Sequence, residues 1–466
     1  LENAISASQQ AVLLNPRMPS AYLNLAQAFK TKGDSNQAER ALNQALGLLL
    51  NAAQNLSRKR RYREAWDLLH SALSAAPDHP HVHYCAGVLC LGENRPDAAA
   101  DQFKRAIELR SDQPEFWVHL AQARLCRRAL SETAECLKKA LELDPKMSDA
   151  TFLQGWLALT QGNLNGGWAK LEPRWILSGP RDSSRPIWEG EPLDGRMVLL
   201  YLNHGFGDTL HFVRYAPLVA ARGGRVILEC RPALKSLLES VADVKAVVAN
   251  GEPLPPFDVQ ASLLSLPRIF QTTLDRIPSD VPYLKPPAAT RVVLPAVEPG
   301  RFKVGLAWSG SELVIFDQNR SVSLLQLSPL FSVPNVSFYS LQVGRPGRQL
   351  RESAAAGSLI DLGPQLSDFA ATAAAMEQMD LIVTVDTSVA HLAGALGKAV
   401  WVMLLFFADW RWLLDREDSP WYPTMRLFRQ RQFHDGWDDV IARVCAALAQ
   451  RAAERRTDNP GLGQVT

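Results

Sequence analysis

The sequence predicts two architectures in one chain, a helical-repeat solenoid followed by two α/β domains that each contain a parallel sheet. Through the first third, small and apolar residues recur every 34 positions, as expected when pairs of helices stack on one another. From Met197 onward, short apolar strands alternate with helices, which is typical of parallel sheets. A proline-rich stretch at 278–299 separates two such sets. The length of 466 residues agrees with two or three domains.

The 34-residue period is visible at several positions that keep one phase. A small residue recurs at Ala65, Ala99, Thr133 and Gly167. A larger apolar residue recurs at Leu69, Phe103, Leu137 and Leu171. This pattern resembles the tetratricopeptide repeat, in which each unit is a pair of helices. Stacked pairs form a concave surface that typically binds peptides or proteins, and a spacer or dimerisation arm is the alternative.

One step in the repeat is too short. Ala38 and Ala65 are 27 residues apart, and no proline interrupts the segment between Leu48 and Ala53. We therefore expect either a shortened connector or an irregular superhelix at this point.

The predicted boundaries follow from these changes of pattern. We place the solenoid at 1–176, a linker at 177–195, the first α/β domain at 196–299, the second at 300–450, and a disordered tail at 451–466. The last helix of the solenoid carries Trp168, Leu171 and Trp175 on one face. These side chains are expected to join the solenoid to the domain that follows.

Composition excludes several classes of protein. The formal net charge is only +2, which argues against a general nucleic-acid binder. The one basic run, Arg58–Arg63, is interpreted as a solvated turn between helices. The six cysteines show no metal-ligand spacing and indicate reduced thiols in a cytoplasmic protein. The longest apolar run, Ala399–Ala408, is too short to span a membrane.

The turn after one strand of the second α/β domain is the strongest functional signal. The apolar run Leu381–Val385 predicts a buried parallel strand. Asp386 ends it, and a helix of small residues begins at once, capped by Asp386 or Thr387. Free backbone N–H groups and the helix dipole at such a turn favour a diphosphate. Thr387, Ser388 and His391 add side-chain donors, although a core histidine is the alternative for His391.

The corresponding turn of the first α/β domain contains two glycines. Gly205 and Gly207 follow the strand at 198–202 and allow a ligand to approach the backbone closely. Asp208 begins the next helix and is our candidate general base, with the helix N-cap as its alternative role. His204 and His211 are held in reserve.

The C-terminal half, from Arg196 to Val444, resembles the bacterial glycosyltransferases related to the lipopolysaccharide heptosyltransferases. The motifs that carry the resemblance are Gly207–His211 and Asp386–Ala393. It implies the two-domain GT-B fold, diphosphate binding at the Thr387–Ser388 helix, and Asp208 as the base. It also implies an inverting reaction with no metal and no cofactor besides the nucleotide-sugar donor. Relatives often carry a lysine where this chain has Val343, so one phosphate contact is in doubt.

Five further residues are candidate binding residues because they follow strands or lie in polar loops. Arg320 is a candidate for neutralising a phosphate, and Gln342 for approaching the nucleoside. The other three are Trp308, Asp409 and Arg411. The last two belong to an aromatic-rich stretch, 406–412, that suits a sugar, since rings stack on C–H surfaces and charged groups bind hydroxyls.

The leading hypothesis is a glycosyltransferase that uses a nucleoside-diphosphate sugar, with the solenoid recruiting a protein or glycan acceptor. The alternative is a tetratricopeptide scaffold whose transferase half has lost activity. The presence of Val343, in place of the lysine of many relatives, supports this alternative. A nucleotide-dependent sugar epimerase is disfavoured, because the loop with Gly205 and Gly207 lacks the third glycine of a dinucleotide-binding turn.

Overall fold

The computed structural model describes residues 1–175, 179–202, 205–310, 320–352 and 357–458. The chain divides into two compact units, Leu1–Leu153 and Gln154–Thr466. The first unit is helical, and the second contains both parallel sheets. The division falls within helix Ser148–Thr160. Residues 154–175 therefore group with the α/β part, whereas the sequence placed them in a solenoid ending at residue 176.

Prolines mark the start of several of the repeat helices. Pro19, Pro80, Pro96 and Pro114 each occupy the first position of a helix, where proline costs no hydrogen bond. The helices are α1 Glu2–Leu14, α2 Pro19–Lys32, α3 Ser35–Arg58, α4 Tyr62–Ala75, α5 Pro80–Gly92, α6 Pro96–Leu109, α7 Pro114–Cys126, α8 Leu130–Leu143, α9 Ser148–Thr160 and α10 Leu164–Trp175.

The repeated positions form the core between the helices. Ala65, Ala99 and Thr133 are fully buried, as are the larger residues Phe103 and Leu137. Close packing also explains a glycine. A β-carbon at Gly87 would lie 2.4 Å from the ring of Phe103, so only glycine lets α5 approach α6 this closely.

The short step in the repeat has a simple structural cause. Helix α3 runs without interruption for 24 residues, from Ser35 to Arg58. The missing residues are those that would have formed the turn, so the second helix of one repeat continues directly into the first helix of the next. The predicted turn at Arg58–Arg63 follows it and is largely exposed, which confirms the interpretation of the basic run.

The first sheet has four parallel strands in the order β3-β2-β1-β4. Its strands are β1 Met197–Tyr201, β2 Arg225–Cys230, β3 Val244–Ala249 and β4 Val259–Ser262. Its helices are α11 Phe206–Phe212, α12 Ala216–Ala221, α13 Lys235–Leu238 and α14 Leu266–Ile269. Strand β4 was not predicted, because it is short and half of its residues are polar.

The predicted linker is wrong for its described part, 179–195. Trp188 is fully buried, and its backbone N–H donates to the carbonyl of Gln260 on β4 at 2.8 Å. The buried amide of Gln260 in turn donates to the carbonyls of Asp182 and Arg185. This segment is therefore packed along the edge of the first sheet, despite its linker-like composition.

The second sheet has six parallel strands in the order β10-β9-β8-β5-β6-β7. This is the strand order of doubly wound α/β folds, with a switch point between β5 and β8. The strands are β5 Phe302–Ala307, β6 Val336–Ser340, β7 Leu359–Asp361, β8 Leu381–Val385, β9 Val400–Leu404 and β10 Met425–Arg429. The helices are α15 Gln349–Glu352, α16 Phe369–Glu377, α17 Ser388–Ala395 and α18 Asp438–Asp458. Edge strand β10 was not predicted, since arginines interrupt its apolar run.

Two predictions at the ends of the α/β part have opposite outcomes. Trp168 of α10 is buried, donates to the carbonyl of Thr272 at 2.8 Å, and contacts Trp410 edge to face. It thus anchors α10 within the second unit, while the side chain of Trp175 lies outside the described residues.

The predicted disorder from residue 451 is wrong up to Asp458, because α18 continues to that residue. Residues 459–466 lie outside the described residues.

Two further findings concern membrane-spanning helices and the cysteines. None of the helices that the structure describes is both long and apolar enough to cross a membrane. All six cysteines are free thiols, and burial raises the pKa of several of them, for example to about 11 at Cys85. Cys85, Cys90, Cys136 and Cys230 are buried, and Cys126 and Cys445 are half-buried.

Candidate functional site

Two helix N-termini meet at the carboxyl ends of the two sheets. Helix α11 follows β1, and α17 follows β8 at the switch point of the second sheet. A β-carbon at Gly207, in the first turn of α11, would lie 2.9 Å from Cδ2 of His391 and 3.6 Å from Cα of Ser388. The structure therefore brings together the two motifs that the sequence singled out, and a glycine at 207 makes their approach possible.

The cap of α17 leaves Asp386 free of a capping role. Thr387 is the N-cap, and its hydroxyl accepts from the N–H of Val389 at 3.2 Å. The N–H of Ala390 donates to the carbonyl of Thr387. Among the described residues, the Ser388 N–H is the amide of this first turn without a partner. It lies at the positive end of the helix dipole, which favours an anion.

Asp208 occupies the third position of α11, and the N-cap is Gly205. The alternative role of Asp208 as N-cap is therefore wrong. Its Oδ1 instead accepts from the guanidinium of Arg411 at 2.6 Å. Within the described part of the chain, Oδ2 has no hydrogen-bond partner, and the side chain is 33% exposed. One carboxylate oxygen is thus fixed by Arg411 and the other is available.

Arg411 connects the two α/β domains electrostatically. Its side chain is only 8% exposed, and it also donates to Oδ1 of Asp409 at 3.0 Å. The guanidinium lies over the rings of Trp410 and Phe212, at 4.4 and 5.1 Å from their centroids. Burial alone would lower the pKa of Arg411, but Asp409 and Asp208 raise it above its usual value. This cation is therefore permanent and held in place between two carboxylates.

A third carboxylate lies near the same charges. Asp386 is buried at the end of β8, and burial raises its pKa, with the Asp409 charge adding to the shift and Arg320 opposing it. Arg320 also influences His391 electrostatically. The predicted residues Asp386 and Asp409 therefore act on the charge of Arg411, and the charge of Arg320 acts on Asp386 and His391.

His391 is buried, and a tyrosine holds it. Its Nδ1 lies 3.0 Å from the hydroxyl of Tyr422, which lies 3.0 Å from Nδ1 of His211 as well. The ring of His391 is stacked on Trp412, with a centroid distance of 5.4 Å. Burial lowers the pKa of both histidines well below the usual value, and nearby arginines lower it further. Both imidazoles are consequently neutral near pH 7.

Arg214 is a buried cation that sequence reasoning missed. It donates to the carbonyls of His211 and Trp421, each at 2.8 Å, and to the hydroxyl of Tyr283 at 2.9 Å. Its guanidinium lies 4.5 Å from the centroid of the Tyr422 ring. Backbone carbonyls from distant parts of the chain satisfy it, and no sequence pattern reveals such a partnership.

Two predicted ligand contacts are instead internal contacts. Trp308 is fully buried in the core of the second α/β domain and does not line a site. The amide oxygen of Gln342 accepts from the N–H groups of Trp308 and Ser309, and its amide nitrogen donates to the carbonyls of Ser309 and Val343. Gln342 thus ties the end of β6 to the loop after β5, and its hydrogen-bonding capacity is used there.

In the aromatic stretch at 406–412 that suggested a sugar site, Phe406 and Phe407 are half-buried. Trp410 and Trp412 of that stretch, and Trp421 and Tyr422 beyond it, are buried. Their rings surround the two histidines and Arg214, so they shape the site from behind. The reserve residue His204 lies outside the described residues. Among the residues that are described, no group of three or more His, Cys, Asp and Glu is placed to hold a metal ion.

Comparison with known proteins identifies the N-terminal part. Family models of the tetratricopeptide repeat match residues 19–49 and 50–114. Residues 19–114 are tetratricopeptide repeats. Among solved structures, YrrB, "a TPR protein with an unusual peptide-binding site", covers 38% of this chain at 22% identity, with 95% of its own length matched and a TM-score of 0.27. PilF of Pseudomonas aeruginosa covers 38% at 20% identity, with 85% of its length matched and a TM-score of 0.27.

Two curated proteins are similar beyond single repeats. Protein FlbA of Caulobacter vibrioides is 27% identical over 443 residues, which is 86% of this chain and 72% of FlbA. Protein O-mannosyl-transferase TMTC3 of Homo sapiens is 28% identical over 177 residues, which is 32% of this chain. The chain spans only 19% of the length of TMTC3.

Proposed function

We propose that the C-terminal α/β part is a GT-B glycosyltransferase that moves a sugar from a nucleoside diphosphate to a protein or glycan acceptor. The observation that carries the proposal is the approach of α11 to α17 at Gly207 and His391. Asp208 follows Gly207 in α11, and the start of α17 is a helix N-terminus of the kind that favours anions. Both follow strands of parallel sheets at their carboxyl ends, where ligands of such folds bind, and this supports the proposal.

The donor diphosphate is proposed to bind at the start of α17. The Ser388 N–H and the helix dipole supply partial positive charge, and Arg411 and Arg320 supply full charges. Thr387, whose hydroxyl caps the helix, places this turn. When the sugar leaves, negative charge grows on the diphosphate, so fixed donors stabilise the transition state more than the bound substrate.

The acceptor is proposed to react beside Asp208. The acceptor oxygen forms a bond to the anomeric carbon, its proton passes to Oδ2 of Asp208, and the bond from that carbon to the diphosphate oxygen breaks with its electron pair. Arg411, bound to Oδ1, orients the carboxylate. Inversion and metal independence are what the resemblance to heptosyltransferase-like enzymes implies.

The repeats are proposed to recruit the acceptor in a cytoplasmic enzyme. Tetratricopeptide proteins commonly bind peptides or proteins. A relative named as a protein O-mannosyl-transferase supports transfer to protein. The matched region is 19% of the length of that relative.

The second candidate function is a binding protein without activity. Two observations favour it. Val343 stands where relatives often carry a lysine, and one oxygen of the Asp208 carboxylate is already bound to the buried Arg411. In this case the repeats assemble partners and the α/β part is a structural module.

A ligand screen followed by one substitution separates the two. UDP, GDP, ADP and their sugars are tested by thermal shift, and saturation at a hundred times Kd stabilises by about 2.7 kcal/mol. Asp208→Asn should keep nucleotide binding but slow release of nucleoside diphosphate from the sugar nucleotide by about 10²- to 10⁴-fold. Asp275→Asn, at an exposed carboxylate of the same domain, is the matched control and should change neither. Absence of a shift with every nucleotide favours the binding protein.

A further inference from the structure

A hydroxyl bridges two buried histidines where the two α/β domains meet. Tyr422 precedes β10, His391 lies on α17, and His211 lies on α11. The Tyr422 oxygen is 3.0 Å from Nδ1 of each imidazole, and all three side chains are buried. The rings of the two histidines are 5.3 Å apart, edge to face. Neither imidazole reaches the other directly, so their protons are related only through the hydroxyl.

The bridge relates the tautomers of the two rings. A tyrosine hydroxyl carries one hydrogen and can also accept at its lone pairs, and the described hydrogen bonds of the Tyr422 oxygen go to the two Nδ1 atoms. A hydroxyl that uses its hydrogen here therefore donates to one Nδ1 and accepts from the other. A neutral imidazole has one N–H, which lies either on Nδ1 or on Nε2. The ring whose Nδ1 accepts from Tyr422 therefore carries its proton on Nε2, and the other ring carries it on Nδ1.

A buried atom without a partner decides the direction. Nε2 of His211 is buried and makes no hydrogen bond to any part of the chain that the structure describes. An orphaned buried N–H is rarer than an acceptor left without a donor. His211 therefore carries its proton on Nδ1 and donates it to Tyr422. Tyr422 in turn donates to Nδ1 of His391, and the His391 proton lies on Nε2.

We propose that Tyr422 is a positioning residue that, together with His211, fixes His391 as a neutral Nε2–H donor aimed at the first turn of α11. The direction follows from Gly207, since a β-carbon there would lie 3.6 Å from Nε2 of His391. The inference deepens the proposed function: in a diphosphate complex this N–H is a directional donor to a phosphate oxygen. No other tautomer of His391 supplies one.

The surroundings keep the pair neutral. Burial and the charges of Arg411, Arg214 and Arg320 all lower the pKa of His391, and burial with Arg214 and Arg411 does so for His211. No carboxylate accepts a hydrogen bond from either ring among the described residues. Asp208 and Asp409 instead accept hydrogen bonds from Arg411. The charge of Arg320 acts on the Asp386 carboxylate. Protonation of either imidazole is thus disfavoured, and each ring keeps one defined tautomer.

The test is nitrogen NMR of the full chain labelled with ¹⁵N only in its nine histidines. Long-range proton–nitrogen correlations distinguish Nδ1–H from Nε2–H rings, and His211→Gln and His391→Gln spectra assign the two signals. We expect His391 as Nε2–H and His211 as Nδ1–H at pH 7.5. The reverse pair, or the same tautomer in both, overturns the proposal.

A substitution tests the bridge itself. Tyr422→Phe should move the Nδ1 resonance of His391 toward that of an imidazole without a hydrogen-bond donor, and should release His211 into a mixture of tautomers. Nucleoside-diphosphate binding, if present, should weaken about fivefold. Tyr215→Phe removes a buried hydroxyl bonded to Thr272 at 2.8 Å and should leave both signals unchanged. Unchanged signals in Tyr422→Phe contradict the bridge.

The two hypotheses fail separately. The tautomers are measured without ligand. The predicted tautomers of His211 and His391, together with no binding of UDP, GDP or ADP, therefore overturn the proposed function but support the positioning role of Tyr422. Saturable nucleotide binding together with the reversed tautomers of His211 and His391 overturns the positioning role of Tyr422 but supports the proposed function.

Discussion

The contact between Gly207 and His391 gives the sharpest test of the site's geometry. An alanine at 207 places its β-carbon 2.9 Å from Cδ2 of His391, well inside the 3.5–4.0 Å that carbon atoms prefer. The ring cannot move easily, because it is stacked on Trp412 and bound to Tyr422. Overpacking of this kind costs about 1–3 kcal/mol, and the helix propensity of alanine returns up to about 1 kcal/mol. Gly207→Ala should therefore lower the free energy of unfolding by about 1 kcal/mol.

The same substitution should change sign when the ring is absent. In a His391→Ala background, the nearest remaining atom is Cα of Ser388 at 3.6 Å, which is ordinary contact. Gly207→Ala should then stabilise by up to about 1 kcal/mol through helix propensity. Urea unfolding of the four proteins of this double-mutant cycle measures the coupling, for which we expect about 1–3 kcal/mol. A coupling within about 0.3 kcal/mol of zero would falsify the approach of α11 to α17.

Three further outcomes are expected. Phe103→Ala should destabilise the repeats by about 3–5 kcal/mol in urea unfolding, because the ring is fully buried; a loss below about 1 kcal/mol contradicts the packing. Gln342→Leu leaves the N–H groups of Trp308 and Ser309 unpaired, at about 1–3 kcal/mol each, whereas Gln326→Leu, at an exposed glutamine, should cost much less. The lowered pKa values of His211 and His391 mean that the unfolded chain binds more protons below pH 6.5. Stability should thus fall as the pH drops through about 6.5, by at most about 1.4 kcal/mol per histidine between pH 7.5 and 5.5, and a His211→Gln, His391→Gln variant with the same pH dependence as the wild type refutes this.

The sequence predicted the parts of the fold that depend on periodicity. The 34-residue spacing of small residues located the repeat core, and long apolar runs located strands such as β3 and β8. The sequence could not predict β4 or β10, because Gln260 in β4 and the arginines in β10 interrupt short apolar runs. The partners of the Gln260 amide, the carbonyls of Asp182 and Arg185, lie far away in the chain. For the same reason, the buried Trp188 was hidden in a stretch with the composition of a linker.

The candidate site shows the same division. The motifs around Asp208 and His391 were found because strand-to-helix turns have local signals. Which side chains close the site depends on contacts between distant segments. Arg411 reaches Asp208 across 203 positions of sequence. The hydroxyl of Tyr422 bridges two histidines that lie 211 and 31 positions away, and no local signal indicates this.

The capping residues show how a local signal can still mislead. Asp208 is a common N-cap residue type, yet Gly205 begins the helix and leaves the carboxylate free to meet Arg411. At α17 the sequence left Asp386 and Thr387 open as caps. Thr387 takes the role because its hydroxyl reaches the Val389 N–H, and the charges of Arg320 and Arg411 act on Asp386.

The position of the diphosphate in a crystal structure with a bound nucleoside diphosphate is the most direct test of the account. We predict phosphate oxygens within hydrogen-bonding distance of the Ser388 N–H and of Nε2 of His391. A nucleotide bound elsewhere, for example in the hollow lined by Ala221, Arg225 and Lys245 at the far end of the first sheet, would contradict it.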